Sequence, residues 1–267
     1  MKKFYLFLEP LLIFLVKKIP VKLLLRIKQN THLVKKMDYS RHDIFLNIDS
    51  TFEYNARPVS CASEPGTVRW IETFFSSGEV FYDIGANVGA YSFVAAKFFD
   101  GNIKVYAFEP AFMTYAQLCR NILLNNCEHC IIPLPIALAD KTEINTFNYH
   151  NLATGSSIHA LGEAIDDRGR PFVPIAKQQV LAFSMDNLIE QFKMPIPDHI
   201  KIDVDGIELM ILKGAETTLA NSNVKSILLE LQKGDAETSA AVQFLRSRGC
   251  EFHSKHQDRN YIFVKKE

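Results

Sequence analysis

Three clusters of glycine and acidic residues follow strand-like runs, at points where a strand would turn into a helix. The first, Asp-Ile-Gly-Ala-Asn-Val-Gly-Ala at residues 83–90, holds Asp83, Gly85, Asn87 and Gly89. Glycines let the backbone turn tightly and approach a ligand, and the following helix offers unpaired N–H groups. A dinucleotide pyrophosphate needs G-x-G-x-x-G, which this turn lacks. An acidic residue before the first glycine suits a ligand with a cationic amino group better.

The second cluster contains a single acidic residue, Glu109, which ends the next strand-like run about twenty residues further on. An acidic side chain at that place can accept hydrogen bonds from both hydroxyls of a ribose. The alternative is a structural role in which Glu109 caps the helix that follows Pro110.

The third cluster lies within residues 201–208, again where a strand runs into a turn and a helix. Asp203 and Asp205 alternate with apolar residues, so both point to one face near the carboxyl end of the strand, where open α/β sheets bind ligands. For Asp205 and Glu208, capping of the next helix is an equal alternative, because acids there are favoured by the helix dipole. The two aspartates lack the further oxygen ligands of a cation cage, so we predict no metal site.

The elements that must position these residues alternate between strands and helices from Glu79 onward, which is typical of βαβ units. Predicted strands span residues 80–84, 103–108, 131–138, 199–204 and 224–231, with two more near residues 250 and 261–264. Predicted helices span residues 88–98, 110–124, 185–192, 207–219 and 236–248. Pro133 and Pro135 predict a sheet edge or a bulge in the third strand.

Residues 143–183 interrupt this rhythm with a strand-like run, a turn at Gly155 and a charged loop at residues 164–174. Insertions of this kind are common sites of substrate recognition. His150 and His159 lie within it, and a histidine in a loop is more often solvated than catalytic.

Taken together, the three clusters make the chain similar to the FkbM family of S-adenosylmethionine-dependent methyltransferases over about residues 78–232. The matching pieces are residues 83–89, Ala107 to Pro110, Asn125-Asn126, Gly155-Ser156-Ser157, Ser184 to Leu188, Lys201 to Glu208, and Leu212 to Ala215. Their order and spacing carry the resemblance more than any single piece. The family more often has Glu where this chain has Asp205.

The resemblance implies a class I, Rossmann-like α/β fold: a mainly parallel sheet with a reversed strand near one edge, helices on both faces and a β-rich insertion after the third strand. It also implies S-adenosyl-L-methionine as the cofactor. Residues implied to bind it are Asp83, Gly85, Asn87, Gly89, Glu109, Ala137 and Asp203. Asp203 would lie near the sulfonium, and Asp203 and Glu208 are the candidate catalytic bases.

The implied reaction is methylation of a hydroxyl on a sugar, glycolipid or secondary metabolite. A nicotinamide-dependent oxidoreductase would share the fold and the ribose-binding acid, although the missing G-x-G-x-x-G counts against it. A non-catalytic, membrane-associated module is the other alternative. The net charge of zero argues against a general nucleic-acid binder.

The amino-terminal segment has a composition of its own. Residues 1–36 carry nine Lys/Arg and only Glu9, and mix these cations with apolar residues. The apolar run at residues 4–16 is too short to cross a membrane, which takes about 20 residues. Two short helices joined at Pro20 would suit an anionic membrane surface, and packing on the domain or on a partner is the alternative.

We therefore expect a helical segment at residues 1–36, a lead-in at 37–78 and a methyltransferase domain at 79–267. The five cysteines show no disulfide framework, and Cys127 and Cys130 are predicted to be buried free thiols rather than half of a zinc site. This favours a cytoplasmic protein, with peripheral contact to the inner face of the membrane through residues 1–28.

Overall fold

The computed structural model describes residues 2–166, 168–231, 236–256 and 259–266. The chain divides into two compact units, Met1–Val34 and Lys35–Glu267. The first unit contains two helices, α1 (Lys2–Val16) and α2 (Val21–Asn30), on either side of Pro20. No helix in the described ranges is both long and apolar enough to cross a membrane.

The second unit begins with the lead-in to the central sheet. Its elements, starting from the strand at the boundary, are β1 (Val34–Lys36), β2 (Phe45–Asn47), α3 (Thr51–Ala56), a 3-10 turn (Arg57–Val59), α4 (Ser60–Ser63) and α5 (Pro65–Phe74). Helix α3 begins with a capping box, because the Ser50 side chain accepts from the Glu53 N–H while the Glu53 carboxylate accepts from the Ser50 N–H.

Strands and helices alternate over residues 80–134 and 185–247, as the sequence predicts, whereas the elements within residues 137–184 are all strands in the described part of that range. The strands are β3 (Val80–Ile84), β4 (Lys104–Phe108), β5 (Ile131–Leu134), β6 (Ala137–Ala139), β7 (Glu143–Tyr149), β8 (Ala160–Leu161), β9 (Ala176–Ser184), β10 (His199–Ile202), β11 (Ser226–Glu230), β12 (Cys250–His256) and β13 (Asn260–Lys265). The helices are α6 (Ala90–Phe98), α7 (Phe112–Leu124), α8 (Met185–Phe192), α9 (Glu208–Lys213), α10 (Glu216–Ala220) and α11 (Ala236–Ser247).

The central sheet has seven strands in the order β5-β4-β3-β10-β11-β13-β12. Strands β5, β4, β3, β10 and β11 are parallel, and β13 runs antiparallel to both of its neighbours. This confirms the class I fold, with its reversed strand next to one edge.

Helices cover both faces of this sheet. Successive strand residues alternate between two hydrophobic cores, so Phe81 packs in one and Tyr82 in the other. Trp70 of α5, Phe93 of α6 and Leu118 of α7 belong to the first core. Helices α8 to α11 line the second core. Burial on both faces explains why the parallel strands are almost continuously apolar.

A second sheet, in the order β6-β9-β7-β8, forms the β-rich insertion. The predicted third strand is wrong as a single element, because it divides into β5 at the edge of the central sheet and β6 in the second sheet. Pro135 lies between the two, and Pro133 belongs to the edge strand, where a missing N–H is tolerated.

The predicted helix at residues 207–219 is also wrong as one helix, since it divides at Gly214 into α9 and α10. A Cβ at Gly214 would lie 1.9 Å from the Ala139 carbonyl oxygen, so the backbone passes directly against β6. Helix α7 begins at Phe112, which leaves Pro110 outside it. All five cysteines are free thiols, and Cys119 is the one that is only half-buried.

Candidate cofactor site

The three predicted clusters meet because their strands are neighbours. Strand β3 lies between β4 and β10, with Ile84 in register with Phe108 on one side and Ile202 on the other. The residues after these three strand ends therefore share one edge of the sheet, as expected for parallel strands.

The turn after β3 is held in a conformation that requires glycine. Gly85 has a φ of +79°, and a Cβ there would lie 2.0 Å from the Asp203 carbonyl oxygen. Asn87 is left-handed at φ 52°, and Gly89, at φ +95°, precedes α6. The close approach of the Asp203 carbonyl, just after β10, explains the need for glycine at position 85 more fully than the turn conformation does.

Glu109 is buried and accepts hydrogen bonds from two backbone N–H groups. One carboxylate oxygen accepts from Asn87 N and the other from Ala111 N, each at 2.9 Å. Burial raises the pKa of Glu109 to about 7, although both hydrogen bonds favour the ionised form. The glutamate thus ties the glycine turn to the end of β4.

A buried lysine organises the acids at the end of β10. The Lys201 ammonium donates to Asp203 at 2.6 Å and lies 3.8 Å from Asp83. Burial would raise the pKa of Asp203, but Lys201 and a hydrogen bond from Glu230 outweigh it and hold that pKa well below its usual range. Burial and Asp203 together raise the pKa of Glu230 to about 10, and the ion pair of Glu230 with Arg259 opposes this shift. Lys201 favours the ionised form of Asp203.

Asp83 lies beneath the glycine turn, fully buried. One oxygen accepts from the Ser92 hydroxyl at 2.6 Å, while the other has no hydrogen-bond partner in the described part of the protein. Burial raises the pKa of Asp83, with Lys201 opposing the shift.

A cavity opens where these elements meet. It contains about 840 Å³ of non-atom space including its open mouth, within the size range of small-molecule sites. Phe108, Ile136 and Leu138 supply apolar lining, and Asn87, Glu109 and Asp203 supply polar groups.

Residues 154–159, which we call the cover segment, wall this cavity from the insertion. Asn87 Nδ2 donates to the Ser156 carbonyl at 2.9 Å, and Asp205 accepts from Ile158 N at 2.6 Å and from His159 N at 3.1 Å. Ile158 adopts a φ of 66°, unusual for a β-branched residue. His159 accepts from His150 N through Nδ1 and pairs with the Ser156 hydroxyl through Nε2. Burial lowers its pKa to about 4, so the ring is neutral near pH 7.

The structure brings five of the predicted site residues to the cavity wall: Gly85, Asn87, Glu109, Ala137 and Asp203. Asp83 lies behind the wall, and Gly89 packs against Leu118 and Phe93. Glu208 does not line this cavity, and its carboxylate accepts from Gly206 N at 3.2 Å. Its position fits the capping alternative.

Comparison with known proteins shows the family of this chain. The profile of the methyltransferase FkbM domain matches residues 83–252. The chain belongs to the FkbM methyltransferase family. The matched range contains the glycine turn, Glu109, the insertion and the β10 turn.

Two curated relatives match part of this chain. It is 24% identical over 171 residues to hexuronic acid methyltransferase AglP of Haloferax volcanii, covering 64% of this chain and 63% of the relative. It is 30% identical over 154 residues to methyltransferase sdnD of Sordaria araneosa, covering 50% of this chain and 59% of that relative. The chain therefore spans about three-fifths of the length of either relative. A solved structure of methyltransferase FkbM from Methylobacillus flagellatus aligns with a TM-score of 0.49 and 17% identity, over 71% of this chain and 44% of that one.

The lead-in contributes site residues that the family motifs do not mark. Arg57 lines the cavity, and both Arg57 and Glu64 line a second cavity, which shares Gly85 and Asn87 with the first. Burial and the nearby Asp203 raise the pKa of Glu64. A solitary arginine and a glutamate before a helix give no sequence signal, because their importance depends on contacts with distant residues.

Proposed function

We propose that this FkbM-family protein transfers a methyl group from S-adenosyl-L-methionine to a hydroxyl of a sugar, glycolipid or secondary metabolite. The observation that carries the proposal is the convergence of Gly85, Glu109 and Asp203 on one cavity. Such a cofactor needs an acidic side chain for its ribose hydroxyls and a glycine-containing turn that lets the backbone approach it closely. It also needs a carboxylate near its sulfonium cation.

The chemistry of the cavity suits this cofactor. Phe108, Ile136 and Leu138 offer apolar surfaces to a purine ring, and Glu109 offers carboxylate oxygens to the ribose hydroxyls. Asp83 lies behind the glycine turn, and its Oδ1 has no hydrogen bond in the described part of the protein but is 3.8 Å from the Lys201 ammonium. When bound, the cofactor supplies an electrophilic methyl group on a sulfonium.

The protein's own part in transfer is alignment and charge placement. Hydrogen bonds tie Glu109 and the cover segment, which both line the cavity, to the neighbouring turns. Alignment supplies much of the acceleration in such displacements. Asp203 favours a neighbouring cation because Lys201 and Glu230 keep it ionised. The same low pKa makes Asp203 a weak base, whereas Glu64, with its raised pKa, is better matched to a hydroxyl proton.

A sugar acceptor is supported by the hexuronic acid methyltransferase among the relatives. To test it, the protein would be incubated with methyl-labelled S-adenosylmethionine and a lysate, then fractionated into lipid, glycan, protein and small molecules. We expect label in the glycan, lipid or small-molecule fractions, and none when Glu109→Ala replaces the wild type. Label confined to protein would contradict the sugar proposal.

We also propose that the first unit contacts an anionic membrane surface. Leu11 to Val16 of α1 and Leu23, Leu25 and Ile27 of α2 are exposed, and the sequence of residues 1–36 carries nine Lys/Arg interspersed with its apolar residues. Apolar side chains beside cations suit the boundary of an anionic bilayer. Co-sedimentation with phosphatidylserine vesicles should be lost when residues 1–36 are deleted, and unchanged binding would refute the proposal.

A further inference from the structure

The second cavity adjoins the first and shares several of its walls. Arg57, Gly85, Asn87 and Asp203 line both. The remaining wall comes from the lead-in and the start of α6, and includes Ser63, Glu64 and Tyr91, together with Lys201. A ligand that filled the first cavity could therefore extend past Arg57 into the second.

Arg57 is a half-buried cation at this junction. Its Nε and Nη2 both donate to the Gly155 carbonyl, with Nε at 2.8 Å. Within the described ranges, no carboxylate lies within 4.0 Å of its guanidinium, and Nη1 has no hydrogen bond. Burial lowers the pKa of Arg57. The more distant Asp203, Tyr91 and Glu109 act in the opposite direction and raise it. Arginine is rarely buried without an anionic partner.

The nearby acids already have other partners. Asp203 accepts from Lys201, and Glu109 accepts from the N–H groups of Asn87 and Ala111. Glu64 accepts from the Thr67 hydroxyl at 3.0 Å. The guanidinium thus retains capacity for an anion from outside the chain, and its planar fork matches a carboxylate.

We propose that Arg57 binds a ligand carboxylate at the entrance of the second cavity. This inference rests on the proposed function, since two ligands of that reaction could carry the group. One is the amino-acid tail of the cofactor, and the other is an acidic sugar acceptor. The site is built from a residue that precedes the family match at residues 83–252.

Calorimetry can distinguish three cases. The carboxylate belongs to the cofactor, it belongs to the acceptor, or Arg57 binds no ligand and only holds the cover segment through Gly155. Wild type, Arg57→Gln and Arg57→Lys would be titrated with S-adenosylhomocysteine and with its decarboxylated analogue, which lacks only the carboxylate. D-glucuronate would then be titrated into protein saturated with S-adenosylhomocysteine. Arg69→Gln, an exposed arginine of α5 that lines neither cavity, is the matched control.

If the cofactor tail is the source, Arg57→Gln should weaken S-adenosylhomocysteine about tenfold or more, the loss of one charge-assisted pair, and leave the decarboxylated analogue within about twofold. Arg57→Lys should recover part of the affinity because it keeps the charge. If the acceptor is the source, both adenosyl ligands should be unaffected, while glucuronate binding should be present in wild type and lost in Arg57→Gln.

Equal weakening of both adenosyl ligands would overturn the carboxylate site and assign Arg57 to bracing the cover segment. If Arg57→Gln left the affinity for every one of these ligands unchanged, the carboxylate site would be overturned as well. If wild type bound neither adenosyl ligand, the proposed function would fail first, a result distinct from any change confined to the variants.

Discussion

The carboxylate of Asp205 accepts a hydrogen bond of 3.1 Å from the backbone N–H of His159, although 46 residues separate them in the chain. The same oxygen accepts from Ile158 N at 2.6 Å. The turn after β10 therefore holds the insertion against the cavity, and a side chain as short as aspartate is long enough to do so.

Asp205→Ala should loosen the cover segment. Two backbone donors lose a charged acceptor, so we expect a loss of about 1–3 kcal/mol in unfolding free energy and several-fold weaker S-adenosylhomocysteine binding. Chemical denaturation and calorimetry measure the two effects. Glu163→Ala, an exposed acid of the same insertion, should change stability by less than about 0.5 kcal/mol. Equal effects in both variants would argue against a specific role for Asp205.

Glu109 should make cofactor affinity depend on pH. Because its pKa is raised to about 7, the carboxyl is protonated below that pH and loses an acceptor for ribose hydroxyls. We expect S-adenosylhomocysteine affinity to rise on the order of tenfold between pH 6 and pH 8, and Glu109→Gln to remove that dependence. An unchanged pH profile in the variant would assign the dependence to another group.

Lys201 should be essential to stability because it neutralises buried acids. Lys201→Met leaves Asp203 and Asp83 without their cation, so we expect a loss of about 3–5 kcal/mol in unfolding free energy, partly recovered by adding Asp203→Asn. Lys225→Met removes a half-exposed lysine that pairs with Glu79, and should cost about 1 kcal/mol or less. A similar loss in both single variants would contradict the account.

Gly85 and Gly78 form a matched pair for the glycine turn. Both have positive φ, but a Cβ at Gly78 has no atom within 4 Å, whereas one at Gly85 would collide with the Asp203 carbonyl. Gly78→Ala should cost about 1 kcal/mol of strain, and Gly85→Ala should cost more and abolish S-adenosylhomocysteine binding. Retained binding in Gly85→Ala would show that the turn does not need this close approach.

The sequence predicts what is set by short stretches of chain. Strand β3 and the turn containing Gly85 are local patterns, and the βαβ rhythm places Glu109 and Asp203 at the ends of two further strands, β4 and β10, which flank β3. Pro133 correctly predicts an edge strand, because the absence of its N–H is a property of the residue itself.

What the sequence does not predict depends on distant contacts. The break at Gly214 follows from the approach of Ala139, about which the helical pattern carries no information. Arg57 reaches the site through Gly155, 98 residues away. Glu208 has the residue type expected of a catalytic base, yet its carboxylate accepts a hydrogen bond from the Gly206 N–H of its own turn.

Calorimetric titration of the full chain with S-adenosylhomocysteine, and separately with NAD, tests the central claim most directly. We predict saturable binding of S-adenosylhomocysteine at one site per chain, much weaker in Glu109→Ala, and no binding of NAD. Binding of NAD in place of S-adenosylhomocysteine would support the oxidoreductase alternative, and binding of neither would contradict the assignment of this cavity to the cofactor.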